Sequence, residues 1–295
     1  MAKCLICSSE NVKIKPAKLA PFLAYRMYSS RLESTSLIYC KECGFSFFEL
    51  RPGAEEFRKL YKGYRDEAYQ KERQKYEPWY SREINSLLAD YYEEAESRRN
   101  NLLNFLNKHI QTDTIKNILD FGGDKGQYIP NICSCRDKYV YDISGVEAKN
   151  GVISLNKLED VFGLSFDLIM CCHTLEHISY PSEAIKMIKK IGNKNSYFYF
   201  ELPFDSPFYC GIKEKLQFVF NRYFKFKDLI VKGVEILKDR SFQMHEHINY
   251  FTPKSLRILL KKQGFDIVAE EIVWVDSKWR KQKVMCILAK LGKQA

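Results

Sequence analysis

Hydrophobic and polar positions alternate between two rhythms along this chain. From residue 53 to about 109 it is polar and tyrosine-rich, with Tyr61, Tyr64, Tyr69, Tyr76, Tyr80, Tyr91 and Tyr92. Within that stretch Ile84, Leu87, Leu88, Tyr91, Tyr92 and Ala95 recur at helical spacing, which predicts two or three helices. Beyond it come short apolar runs separated by helical segments. The runs are Asn117 to Phe121, Tyr139 to Ile143, Phe166 to Cys172, Ser196 to Leu202, Ile267 to Val275 and Val284 to Ala289. Strands alternating with helices define an α/β fold, a mostly parallel sheet with helices on both faces. A strand is also expected over Cys40 to Leu50, ending at Pro52, and a last helix from Pro253 to Gly264.

The pattern divides the chain into three parts: residues 1–52 as a small unit, 53–110 as a helical linker or lid, and 111–295 as the main α/β domain. An aromatic and basic insertion occupies 204–242, with Phe218, Phe220, Tyr223, Phe224 and Phe226 beside Lys225 and Lys227. With 295 residues, 45% of them hydrophobic, the chain can bury a sizeable core. The formal net charge of +10 favours an anionic partner. No run approaches the roughly 18 apolar residues of a membrane span, and the start lacks the pattern of a signal peptide, so a cytosolic protein is expected.

Cytosolic thiols stay reduced, which makes paired cysteines a metal signal rather than a disulfide one. Cys4-Leu-Ile-Cys7 and Cys40-Lys-Glu-Cys43 are two knuckles whose four thiolates can close a tetrahedron on one Zn2+. With four protein ligands no position is left for water, so this zinc is structural. Cys133, Cys135, Cys171, Cys172, Cys210 and Cys286 fall in or beside core segments and are expected to pack.

The chemistry centres on Asn117-Ile-Leu-Asp-Phe-Gly-Gly-Asp-Lys-Gly126, an apolar strand entering a glycine-rich turn that is expected to open a helix. Such a turn lets the backbone approach a ligand closely. About 20 residues on, Asp142 ends the second strand, where a carboxylate can accept both ribose hydroxyls of an adenosine. The sequence Asp120-Phe-Gly122-Gly-Asp124-Lys-Gly126 resembles the acidic-x-Gly-x-Gly-x-Gly motif of class I S-adenosylmethionine-dependent methyltransferases. Phe166-Asp-Leu-Ile-Met-Cys-Cys-His-Thr-Leu-Glu-His177 resembles their fourth-strand motif. Glu246-His-Ile-Asn-Tyr-Phe-Thr-Pro-Lys-Ser-Leu256 is similar to a segment of bacterial sugar and polysaccharide methyltransferases, including sugar C-methyltransferases with a four-Cys zinc module.

The resemblance implies a Rossmann-like, seven-stranded methyltransferase fold and S-adenosylmethionine as cofactor. Asp120, Gly122, Gly123 and Gly126 would line its amino-acid end, Asp142 its ribose, Asp160 its adenine and His173 the floor near the sulfonium. Asp124 stands at the motif's middle glycine, and Gly123 beside it is expected to supply the lost conformational freedom. Tyr64 and Tyr69 are expected to fold over the cofactor as a lid.

His247, oriented by Glu246 and flanked by His245, is the expected general base. Sugar C-methyltransferases have a Tyr-x-Glu-His cluster here, and this chain has Met244 in the tyrosine's place, which favours oxygen over carbon as acceptor. His173 and His177 lie four apart, but the order of Glu176 differs from a zincin motif, so a polar lining is expected there.

The expected acceptor is a sugar, nucleotide-sugar or surface-glycan component, met by Lys225, Lys227, Lys232, Lys238 and Arg240. RNA methylation is the competing enzymatic reading, disfavoured because basic residues are interspersed with acids. A non-catalytic subunit marked by Asp124 is the third.

Overall fold

The computed structural model describes residues 2–29, 34–89, 92–204, 242–276 and 281–292. In chain order these form β1 (Val12–Leu19), α1 (Pro21–Tyr28), β2 (Ser34–Cys40) and β3 (Ser46–Phe48). Four helices follow: α2 (Ala54–Tyr61), α3 (Glu67–Tyr76), α4 (Arg82–Ala89) and α5 (Tyr92–His109). Then come β4 (Asn117–Phe121), β5 (Asp137–Tyr141), β6 (Ile153–Leu155), α6 (Leu158–Phe162), β7 (Leu168–Cys172), α7 (Pro181–Ile191) and β8 (Tyr197–Pro203). The chain continues through β9 (Phe242–Met244), β10 (Asn249–Tyr250), α8 (Pro253–Lys262), β11 (Phe265–Asp276) and β12 (Lys281–Leu291). The basic run from Lys225 to Arg240 lies outside the described residues.

Seven strands make the main sheet in the order β11-β12-β8-β7-β4-β5-β6. β8, β7, β4, β5 and β6 run parallel, and β12 and β11 close one side antiparallel. The central strands β4, β7 and β8 are almost wholly buried because both faces are covered, and successive residues feed opposite cores. Leu119, Ile169, Cys171, Phe198 and Phe200 face α7 and α8, meeting Ile185, Ile188, Leu256 and Leu259. Ile118, Leu168, Met170 and Tyr199 face α5, meeting Leu102, Phe105 and Leu106. This is the expected α/β architecture, a mostly parallel sheet with helices on both faces.

The expected helix after the glycine turn does not form. Between β4 and β5 the chain makes turns over residues 122–136 and no helix. Pro130 has no N–H to give and biases Ile129 away from helical backbone, which leaves too few residues after Gly126 for a helix to start.

The N-terminal unit shares its sheet with the far end of the chain. A second sheet has the order β10-β3-β2-β1-β9. β9 pairs parallel with β1 through Ala17 and Phe242, and β10 pairs antiparallel with β3 through Phe47 and Asn249. The expected single strand over Cys40 to Leu50 is in fact the end of β2, a knuckle and β3. Cys4, Cys40, Cys43 and Phe45 join the same buried cluster as Leu256 and Leu259 of α8. The link from β9 to β10 therefore carries His245, Glu246 and His247 from one edge of this sheet to the other. No helix among the described residues is long and apolar enough to cross a membrane.

Candidate active site

The candidate cofactor seat begins where β4 ends. Gly122, Asp124 and Gly126 all have positive φ, at 73°, 54° and 70°, whereas Gly123 does not. The expectation that Gly123 takes over the missing glycine's role is therefore corrected: Asp124 itself adopts the left-handed conformation, which Asp tolerates better than most residues. Gly123 is needed for space, since a Cβ there would lie 2.2 Å from Cγ of Asp120. A Cβ on Gly122 would lie 2.4 Å from Cγ2 of Thr174.

Asp142, at the end of β5, braces the turn. Its Oδ2 accepts from the backbone N–H of Asp124 at 2.9 Å and its Oδ1 from that of Ser144 at 2.8 Å. Each oxygen keeps a further lone pair for a ligand hydroxyl. Asp120 is fully buried, and neither of its carboxylate oxygens has a hydrogen-bond partner among the described residues. Burial pushes its pKa up to about 7 against the pull of Arg98, with Asp142, Glu201 and Asp124 adding to the rise. A buried, unsatisfied acceptor next to a glycine cradle fits a ligand carrying a cationic or hydrogen-bond-donating group.

Under Asp120 lies a buried ion pair. Arg98 Nε donates to Glu201 Oε1 at 2.7 Å, and Tyr199 donates to Glu201 Oε2 at 2.8 Å. Burial favours the protonated acid, but Arg98 and His173 outweigh it and hold Glu201 at about 2. His173 ends β7 with a φ of 52°, its Nε2 3.5 Å from Glu201 and its Nδ1 3.6 Å from Glu176. Burial, then Arg98, bring its pKa down to about 4.

The second half of the site is built around the histidines. The residues after β7 form turns rather than a helix, so His173 and His177 do not share a helix face. His177 Nδ1 sits 2.9 Å from the Glu246 carbonyl, and its ring meets that of His247 edge-on, centroids 4.8 Å apart at 81°. Burial and the neighbouring His247 lower the His177 pKa to about 3. One ligand atom each from Glu176, His177 and His247 lie within 4.8 Å of one another.

Glu246 is held by the tyrosine-rich helices. Its carboxylate takes Arg73 Nη1 at 2.7 Å, Tyr64 OH at 3.2 Å and Tyr69 OH at 3.3 Å. Burial opposes its charge, yet Arg73, His177 and Arg65 together depress its pKa to about 2. His245 Nδ1 lies 3.7 Å from Glu77, which Arg73 also engages at 2.8 Å.

The tyrosine-rich helices reach over both halves. Tyr61 lies edge-on to His177 and to Tyr64, and its phenol, raised well above its ordinary pKa by burial, also feels Glu246, Asp142 and Glu176. Arg65 offsets the burial of Asp124. Tyr69 is enclosed at 1% exposure against Phe22, so it supports Glu246 from behind. Asp160 is exposed on α6. Arg51, Arg73, Arg98 and Glu201 had no sequence signal, because the groups they meet at the site lie far away in the chain.

The four cysteines meet. Sγ of Cys4 is 3.6 Å from that of Cys43, Sγ of Cys7 is 3.4 Å from that of Cys40, and all four lie within 4.8 Å. Thiolates about 2.3 Å from a tetrahedral Zn2+ sit about 3.8 Å apart, so this set fits the metal. Ser8 and Gly44, each following a knuckle, are left-handed at φ 67° and 74°. α8 seals the unit: Thr252 Oγ1 donates to the Cys43 carbonyl at 2.7 Å and Lys262 Nζ to that of Ile6 at 2.8 Å.

These groups make acid stability predictable. The unfolded chain protonates His173 and His177 near 6.5, while the folded chain resists until about 4 and 3, so stability falls as pH drops below 6.5. Asp120 acts oppositely, because its folded pKa of about 7 exceeds the ordinary 3.8 and its stabilisation grows as pH falls towards 4. The net excess of one proton in the unfolded state costs about 1.4 kcal/mol per pH unit between 6.5 and 4. Below 4.5, Glu201 and Glu246 lose theirs as well. Calorimetry of the unliganded protein should show Tm declining gently to pH 4.5 and steeply below it; a flat profile to pH 3.5 would contradict these burials.

The fold is α/β, and its candidate cofactor site lies at the carboxyl ends of the central parallel strands. Residues 64–270 match the family described as a methyltransferase domain, and the chain belongs to that family. No curated protein matches the chain. Among solved structures it is similar to the magnesium protoporphyrin IX methyltransferase of Synechocystis PCC 6803 with bound S-adenosylhomocysteine, at 13% identity and TM-score 0.41, covering 67% of this chain and 84% of that one. A S-adenosylmethionine-dependent methyltransferase of Clostridium acetobutylicum ATCC 824 is 12% identical with TM-score 0.39, covering 67% and 92%. Another from Methanosarcina mazei is 15% identical with TM-score 0.39, covering 64% and 98%.

Proposed function

We propose that this methyltransferase moves a methyl group from S-adenosylmethionine to an oxygen of a sugar, nucleotide-sugar or surface-glycan component, such as a capsule or O-antigen unit. The observations that carry the reading are the glycine turn braced by Asp142 at the end of β4 and, beside Tyr61, the edge-on His177–His247 pair. Asp120 and the turn at Gly122, Gly123 and Gly126 would hold the amino-acid end, and Asp142 the ribose. Bound there, the cofactor supplies an electrophilic methyl carbon on its sulfonium.

The protein's own task is to align the acceptor and remove its proton as charge develops. His247 is assigned that proton. His177 stays neutral beside it, with its own proton held on Nδ1 by a carbonyl that can only accept. Glu246, locked by Arg73 and two phenols, fixes the chain on either side of His247. An oxygen acceptor needs one proton removed and no stabilised carbanion, which suits a site with Met244 where a tyrosine would stand. Cys4, Cys7, Cys40 and Cys43 would hold a structural zinc.

The cofactor half is tested by Asp142→Ala. Loss of a charged acceptor should weaken S-adenosylhomocysteine binding by about 1.5–3 kcal/mol, roughly 10- to 100-fold. An unchanged dissociation constant would move the ribose elsewhere. The acceptor half is tested by mass spectrometry of nucleotide sugars and glycan extracts incubated with the protein and methyl-labelled donor. The label should appear as an O-methyl sugar; label on RNA or on carbon would overturn the acceptor assignment.

A further inference from the structure

Arg51 follows β3 in the cysteine-bearing unit, far in sequence from both histidine segments, and its guanidinium is partly buried where they meet. Nε donates to the Ser179 carbonyl at 2.8 Å, and Nη2 also reaches it. Nη2 reaches the Ile178 carbonyl at 3.2 Å and Asn249 Oδ1 at 2.7 Å. Nη1 donates to the carbonyls of Phe48 at 3.0 Å and Ile248 at 3.3 Å. Every acceptor beyond Phe48 lies within two residues of His177 or His247.

Asn249 completes the tie. It is 1% exposed, and its Nδ2 donates to the carbonyls of Leu175 at 2.9 Å and Ile178 at 2.7 Å. The backbone N–H groups of Ile248 and Asn249 both donate to the Glu176 carbonyl, at 2.9 and 3.0 Å. Ser179 Oγ returns a bond to the Pro52 carbonyl at 2.6 Å. Thus the carbonyls of Leu175, Glu176, Ile178 and Ser179, on both sides of His177, are all taken by Arg51 or by the segment that carries His247.

We infer that Arg51 is a positioning residue for methyl transfer, acting with Asn249 to set the separation and angle of the His177 and His247 rings from the cysteine-bearing sheet. The inference rests on the reading of these histidines as the acceptor end of the site. The acceptors in these bonds are all carbonyl oxygens, so carbonyl dipoles satisfy a partly buried charge that also lies over the Phe47 ring. Burial lowers its pKa to about 10, which leaves it charged at neutral pH. A planar fork with five N–H donors can address three chain segments at once, and an ammonium cannot. A displacement of about 1 Å in a reacting group costs up to roughly a hundredfold in rate. The small unit therefore does more than stabilise the fold: it shapes the site.

The test uses the full chain with Arg51→Lys and, independently, Asn249→Asp, which keeps the acceptor for Arg51 and deletes the donor to Leu175 and Ile178. Imidazole 15N–1H spectra, assigned with His177→Gln and His247→Gln, should lose the protected Nδ1–H resonance of His177 in both variants. The S-adenosylhomocysteine dissociation constant should stay within twofold. With the acceptor found by labelled transfer, kcat should fall at least tenfold. Should Arg51→Lys fail to fold, Asn249→Asp gives the same readings. Unchanged histidine resonances and kcat alongside a lowered Tm would make Arg51 a structural anchor and overturn the inference. Should His247→Ala retain full activity, the base assignment fails by itself, because the spectra still report whether Arg51 sets the ring pair.

Discussion

Replacing His247 with alanine should lower kcat by about 10²–10⁴ and leave S-adenosylhomocysteine binding unchanged, the usual effect of losing a positioned general base. The separation is expected because the ring lies on the β9–β10 link, against His177, while the proposed cofactor contacts come from the turn after β4 and from Asp142. Glu246→Gln should act differently. Removing its charge leaves Arg73 with only Glu77 as a carboxylate partner and weakens two phenol contacts, so stability should fall along with rate. A loss below tenfold in His247→Ala, measured with the true acceptor, would transfer the role to His177 or His245.

Cys40→Ser should have an equally large effect on the fold. The four thiols sit in the cluster that includes Leu256 and Leu259, and the sheet they anchor carries the β9–β10 link at its edges. Loss of the metal should therefore cost about 4 kcal/mol, a fall in Tm near 10 °C, and the variant should aggregate more readily. Metal analysis of native protein purified without chelator should return about one zinc per chain. Zinc-free native protein with unchanged Tm would sink the structural-zinc assignment.

The main sheet was readable because its strands are covered on both faces and announce themselves as apolar runs: Asn117–Phe121 begins and ends as expected, and the run ending at Cys172 became β7. The second sheet was not. β1 is Val-Lys-Ile-Lys-Pro-Ala-Lys-Leu, with few buried positions, and β9 and β10 have three residues and two. Their partners lie more than 200 residues away in sequence, and local periodicity has no access to such pairings. The cysteines were legible because metal geometry imposes a fixed spacing. Asp142 was legible because it must follow its strand. Arg51 and Arg73 belong to no spacing rule, since what defines them is a set of carbonyls and a carboxylate brought near by folding. The turn at Asp124 shows the opposite limit: the motif located the loop, and only the backbone revealed which residue turns left-handed.

The most direct test of the account is a calorimetric titration of S-adenosylhomocysteine into the native full-length chain. The account predicts a single saturable site per chain whose affinity drops in Asp142→Ala and persists in His247→Ala. Folded, zinc-loaded protein that gives no binding heat, and shows no rise in Tm at saturating ligand, would contradict it.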